Sequence, residues 1–245
     1  MKRGKKAQIT VFIILAILIV ALIGVLFFYR MSLSKTGEIN SEISPVYLFV
    51  LNCIKQSGEE AIYNIGQTGG YIDAPNLSTD NNIAYYVYEE KNLMPSFEKI
   101  QDELSLYMND RVFFCTKNFI DFPDYNIKQG EIKTKTKIEN NSVIFNVNYP
   151  LSIEKENKTY LFNDFKDIEI PARLGVIYSV NELIVKDLIK NKKDVCASCL
   201  NKWADEKNLY IDMYDYKESL VFAISDPKFK INQERFIFYF ANKLW

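Results

Sequence analysis

The chain has 245 residues, 48% of them hydrophobic and 14% aromatic, with 30 basic and 31 acidic side chains, no histidine and a formal net charge of −1. Without an imidazole, Ser-His-Asp and Cys-His catalysis and every histidine-bearing metal site are excluded, and the commonest general base near neutral pH is missing. Setting aside Lys2, Arg3, Lys5, Lys6 and Arg30 leaves 25 basic against 31 acidic residues, a balance of −6 that gives no footprint for nucleic acid.

The first element is Ile9–Tyr29, ITVFIILAILIVALIGVLFFY, a run without a charged residue. As a helix it reaches about 30 Å, the thickness of a bilayer's hydrocarbon core. A secretory signal peptide has a shorter apolar region and ends in small residues. Here the exit is Phe27-Phe28-Tyr29-Arg30, which suits an interfacial aromatic belt instead. A buried core helix of this length would show a polar stripe, and this run has none. Four cationic residues precede the run, and only Arg30 and Lys35 follow closely, so the positive-inside rule puts residues 1–8 in the cytoplasm. The expectation is a single-pass protein of the cell membrane: a basic cytoplasmic segment over 1–8, a transmembrane helix over 9–29, a juxtamembrane linker over 30–43 and an extracytoplasmic domain over 44–245.

Lys6-Ala7-Gln8-Ile9-Thr10-Val11, leading straight into the apolar run, resembles the start of archaeal type IV pilin-like precursors and of archaeal single-pass exported proteins. That resemblance implies prepilin-type cleavage between Ala7 and Gln8. It is carried by the first 30 residues or so, with a looser similarity through Cys53 and Gly69-Gly70-Tyr71. Pilins usually place a Glu five residues into the mature chain to pair with a neighbouring subunit's N-terminus; Phe12 stands there in this sequence.

Beyond the linker, Ser44-Pro45 reads as a helix start, and the spacing of Val46, Phe49, Val50, Cys53, Ile54, Ala61 and Ile65 predicts a helix to about Ile65 with Gly66 as its stop. Asp73–Asn82 is loop chemistry, and Ile83–Tyr88 reads as a short strand. Pro95 opens a second helix whose stripe is Phe97, Ile100, Leu104, Tyr107, Met108, Val112 and Cys115. That stripe is either a core face or an assembly groove. A sub-boundary falls near 126–131, where the period changes to two. Lys133, Lys135 and Lys137 share one face of a strand, and Val143, Phe145, Val147, Tyr149, Leu151 and Ile153 alternate along the next. The lysine ladder is a surface for anionic lipid or sugar, or a solvated face that protects an edge.

Short strands are expected at Thr159–Phe162 and Asp167–Ile170, then a helix over Ala172–Lys190 and a fourth beginning near Asp194. Strands over Leu209–Tyr214 and Ser219–Ser225, a turn at Asp226-Pro227, and a last strand from Arg235 to Phe240, buried on both faces, complete the chain. The fold class is α+β: helices with mostly antiparallel sheet, behind the membrane helix.

Four cysteines in an exported domain favour disulfides. Three pairings are open; the expected one is Cys53–Cys115 with a local Cys196–Cys199 bridge. The Cys196-Ala-Ser-Cys199 spacing also fits a zinc half-site or a redox dithiol at a helix start. Carboxylates at Glu59-Glu60, Glu89-Glu90, Asp212 and Asp215 could pair as acid and base, without any metal-loop spacing. Asn76, Asn140 and Asn157 head glycosylation sequons.

No catalytic residue, cofactor or metal is expected. The reading is a non-catalytic envelope or surface protein, with a pilin-like form implied by the resemblance. Its partners would be the lipid bilayer, further copies through the membrane helix, or other envelope proteins. The alternative is a membrane-tethered thiol-redox factor using Cys196 and Cys199.

Overall fold

The computed structural model describes Ile19 and residues 41–191, 194–231 and 234–243. All of the expected membrane span at Ile9–Tyr29 except Ile19, the basic flank, the Ala7–Gln8 junction and most of the linker therefore lie outside the described residues. Among the described residues no helix is long and apolar enough to cross a membrane. Two compact units divide the chain, Met1–Ser44 and Pro45–Trp245. Among the described residues the second is a mixed α+β domain of four α-helices, one short 3-10 helix and two largely antiparallel sheets.

Helix α1 spans Ser44–Thr68, with Pro45 in its first turn, where a missing N–H costs nothing. Its buried face is Val46, Val50, Cys53, Ile54, Ala61, Ile62 and Ile65, spaced at three and four residues. Gly66 is not the stop. A Cβ there would lie 2.7 Å from both the Phe236 ring and the Ile237 carbonyl, so the residue is small because the helix touches a strand. Gly58 plays the same part eight residues earlier, against Phe145 and Ile170. The true end is Gly69, at φ +76°, and the Gly70 N–H returns to the Ile65 carbonyl at 2.7 Å, closing a Schellman-type cap.

The first sheet contains β1 (Tyr85–Tyr88), β2 (Lys91–Asn92), β7 (Tyr210–Tyr216), β8 (Ser219–Ile231) and β9 (Glu234–Lys243), in the order β2-β1-β9-β8-β7. β1 lies parallel to β9; the other pairs are antiparallel. In the second sheet β5 (Ser142–Lys155) is central, paired along its length with β6 (Lys158–Pro171) and on its other side with β3 (Asn126–Gln129) and β4 (Lys133–Ile138). The Gly58 and Gly66 contacts show α1 lying on both sheets. Helix α2 is Phe97–Thr116, capped by Ser96, whose hydroxyl accepts from the Lys99 N–H; α3 is Leu174–Asn191 and α4 is Ala197–Lys207.

Four local expectations are corrected. Thr159–Phe162 and Asp167–Ile170 are parts of the single strand β6, which passes through an irregularity at Asp167 (φ +53°), where Asn146 Oδ1 accepts the Asp167 N–H at 3.0 Å. Asp226-Pro227 is not a turn. β8 continues to Ile231 across a register shift, and the buried Asp226 carboxylate accepts the Lys228 N–H at 2.9 Å. β9 buries Phe236, Phe238 and Phe240, while Ile237 and Tyr239 on the opposite face are half-buried. The fourth helix starts at Ala197, with Cys196 as its N-cap rather than in its first turn.

Candidate functional site

All four cysteines are paired as the sequence suggested. Cys53 is bonded to Cys115 with their Cα atoms 5.6 Å apart, joining α1 to α2, and Cys196 is bonded to Cys199 across the first turn of α4. By loop-closure entropy the first, which encloses a 62-residue separation, stabilises by about 4 kcal/mol and the second, with a separation of 3, by about 2 kcal/mol.

Beside the first disulfide, α2 runs along the edge of β4. Gln101, Ser105 and Asn109 recur every four residues and so share one side of the helix. Gln101 Oε1 accepts the Ile138 N–H at 3.0 Å, Ser105 Oγ accepts the Thr136 N–H at 3.1 Å, and Asn109 Oδ1 accepts the Thr134 N–H at 2.8 Å. Three helical side chains thus take the place of a neighbouring strand. Above them lies a groove of about 690 Å³, lined by polar groups that include Glu98, Asp102, Ser105 and Lys135. The stripe Ile100, Leu104, Met108 and Val112 is core, not groove.

The lysine ladder is exposed, as its alternation predicted, and two of its members are matched by local carboxylates. Lys133 meets Glu131 at 3.0 Å and Lys137 meets Glu139 at 2.6 Å. The Glu139 hydrogen bond raises the Lys137 pKa further above the ordinary lysine value.

The carboxylate pairs do not converge. Glu60 is engaged by Arg111 at 3.3 Å. Glu89 and Glu90 form the two-residue turn between β1 and β2, both at positive φ. Asp212 and Asp215 differ by three along β7 and point to opposite faces. Among the described residues no group of three or more Cys, Asp or Glu is arranged to hold a metal ion.

Two charged clusters escaped the sequence reading. Arg173, at the start of α3, reaches the buried Asp226 at 3.4 Å and also donates to the carbonyls of Lys207 and Asn208. It ties the end of α4 to β8. Asp80 accepts from both Tyr216 and Lys217, clipping the Asp73–Asn82 loop to the β7–β8 turn, and these two bonds lower its pKa. The partners in each cluster lie far apart in sequence, so no local spacing announces them. The α2 stripe did carry a signal, polar residues at strict four-residue steps. The three sequon asparagines, Asn76, Asn140 and Asn157, are exposed in loops or turns.

No protein-family model, curated protein or solved structure matches this chain.

Proposed function

We propose that the chain is a single-pass, membrane-anchored structural or interaction protein of the cell envelope, with Pro45–Trp245 as its extracytoplasmic domain. The observation that carries the reading is Ile9–Tyr29, a charge-free run of bilayer length behind a basic flank. Two disulfides agree with an oxidising compartment. The non-catalytic part of the proposal is supported by where the charges are spent. Arg173 and Asp226 bind backbone, Glu60 binds Arg111, and Asp80 clips a loop.

The pilin-like form of the proposal rests on Lys6-Ala7-Gln8 and a helix, α1, that follows the anchor and packs on sheet. Intact-mass measurement of the protein extracted from membranes tests both levels. A chain that resists alkaline extraction and begins at Gln8 supports the processed, pilin-like form. Retention of Lys2–Ala7 leaves a plain anchor, and release by alkali overturns the membrane reading.

One observation favours a second reading, a tethered thiol-redox factor: Cys196 caps the N-terminus of α4 and is partly exposed, as is Cys199. Differential thiol alkylation separates the two. A pair that cycles readily with a dithiol supports redox work, and an inert bridge excludes it.

A further inference from the structure

The two faces of the first sheet carry different rings. Directly paired residues share a face, and successive residues along a strand alternate between faces. By the register of β8 and β9, Phe222, Phe236, Phe238 and Phe240 lie on one face, all buried. Among the described residues every ring on the other face is a tyrosine: Tyr85, Tyr88, Tyr210, Tyr214, Tyr216 and Tyr239. Tyr210 and Tyr214 are 54% and 44% exposed, and the other four are half-buried. Between them Val221, Ala223 and Ala241 face the same way and are buried. Tyr214 is hydrogen-bonded to Tyr239 across β8, and Tyr85 Oη lies 2.8 Å from Ser219 Oγ across β9. Rings that span a neighbouring strand in this way lie over its small side chains and turn a flat face outward. Beside Tyr85 and Tyr216 the surface dips into a hollow of about 350 Å³, lined also by Ser78, Thr79 and Ser219.

We propose that this face is a platform for an uncharged polysaccharide, whose sugar rings stack on the tyrosines and whose hydroxyls bond Asp212 and the hollow. A pyranose ring has a flat side of weakly positive C–H groups and a rim of hydroxyls. The negative face of an aromatic ring takes the first, and a carboxylate or hydroxyl takes the second. Asp212 is exposed on the same face of β7, two residues from Tyr210 and two from Tyr214, where it accepts from a sugar lying across both rings. The bordering charges are of both signs. Lys217 bonds Asp80, Lys243 meets Glu218 at 3.1 Å, and the hairpin ends carry Glu89 and Glu90 with Lys91, and Glu234 with Lys230 and Arg235. Such a surface has no single-sign field to draw an anionic or a cationic polymer. A lipid or an apolar protein face would bury Asp212 and the tyrosine hydroxyls without partners, which costs free energy. The proposal gives the interaction reading above a partner, and rests on that reading only for the compartment where the polymer is met.

The test is retention of the full chain, in micelles of a detergent without a sugar headgroup, on cellulose, chitin and immobilised mannan. Retention is expected on at least one of the three and is unchanged in molar salt. Tyr210→Ala and Tyr214→Ala should each lower it about tenfold, the loss of one stacking ring. Tyr210→Phe, which keeps the ring, and Met213→Ala, exposed on the opposite face of the same strand, should leave it within about twofold. Tyr210 is more than half exposed, so its alanine variant folds and reads binding even where Tyr214→Ala lowers stability.

No retention on any of the three overturns the platform, as does retention that Met213→Ala lowers as much as Tyr210→Ala. Stronger retention on heparin or polylysine beads, released by molar salt, assigns the face to a charged partner and overturns it. Self-association that Tyr210→Ala weakens, without retention on glycan, assigns the face to a second copy and overturns it too. Flotation of the chain with phosphatidylcholine vesicles reads the anchor separately. A chain that floats and is not retained keeps the anchor and loses the platform; one that is retained and does not float keeps the platform and loses the anchor.

Discussion

The β4 edge of the second sheet and the β7 edge of the first are treated in opposite ways. In the second sheet the outer edge of β4 is closed by Gln101, Ser105 and Asn109, so its N–H groups are satisfied by a helix that cannot add further strands. In the first sheet, β7 is the edge strand and carries Tyr210, Met213 and Tyr214 exposed, without a lysine or proline along its length. Edge strands of that second kind are templates for pairing with another chain. The contrast shows that edge protection is a property of the layer beside a sheet as much as of the strand. α2 is bonded to α1 by a disulfide and to β4 by three side chains, whereas the backbone bond from α4, the Leu209 N–H to the Ala204 carbonyl at 2.9 Å, falls just before β7 begins.

Removing the disulfide that holds α2 is the most forceful way to break this contrast. The double substitution Cys53→Ser/Cys115→Ser is expected to cost about 4 kcal/mol, read as a lower denaturant midpoint. Amide exchange at Thr134, Thr136 and Ile138 should accelerate with it. Replacing Gln101, Ser105 and Asn109 together by alanine attacks the edge itself. With about 1 kcal/mol for each part-buried N–H left unpaired, the loss is about 3 kcal/mol. Their exchange should then resemble that of β7; exchange that stays slow would show that the helix backbone, not its side chains, protects the edge. Cys196→Ser/Cys199→Ser should cost less, about 2 kcal/mol, and leave the second sheet untouched.

A subtler probe is pH. Tyr214, on the open edge, has its pKa pushed up to about 12, first by burial, then by Tyr239 and Asp212. The unfolded chain loses this proton near 10 and the folded chain only near 12, so the folded state binds more protons within that window. Stability contributed by Tyr214 is present below pH 10 and is lost as pH rises from 10 to 12; Tyr214→Phe should shift the alkaline unfolding midpoint upward. The smallest effect on folding belongs to Met213→Lys, an exposed change within about 0.5 kcal/mol. It should nevertheless slow concentration-dependent association, measured by light scattering, if β7 is the edge that pairs.

Local periodicity made much of this architecture readable. The β4–β5 hairpin, the faces of its lysines and the apolar stripe of α2 follow from steps of two, three and four residues; of the three cysteine pairings left open, the expected one is the one present. What escaped was set by tertiary context. Gly66 looked like a stop because glycine usually ends helices, yet here it admits Phe236. Asp226-Pro227 has turn composition, but Arg173 and the Lys228 N–H hold Asp226 inside a continuing strand. The ring contacts of Tyr47 with Phe162 and Phe165, and of Phe49 with Phe119 and Phe122, join residues far apart in the chain, so no window of sequence contains them.

The double seat of α1 has a mechanical consequence. Its contacts at Gly58 and Gly66 lie along one helix axis on two different sheets, and Cys53–Cys115 bridges it to α2 one turn before the first of them. A pull applied at Pro45 along that axis loads the packing of Val46, Tyr47 and Val50, and then the covalent bridge, which carries it through α2 into the second sheet. Both seats are then loaded in shear together instead of peeling one after the other. A pull on this helix is thus resisted by the domain as a single block, and cutting the Cys53–Cys115 bond is what would let it yield.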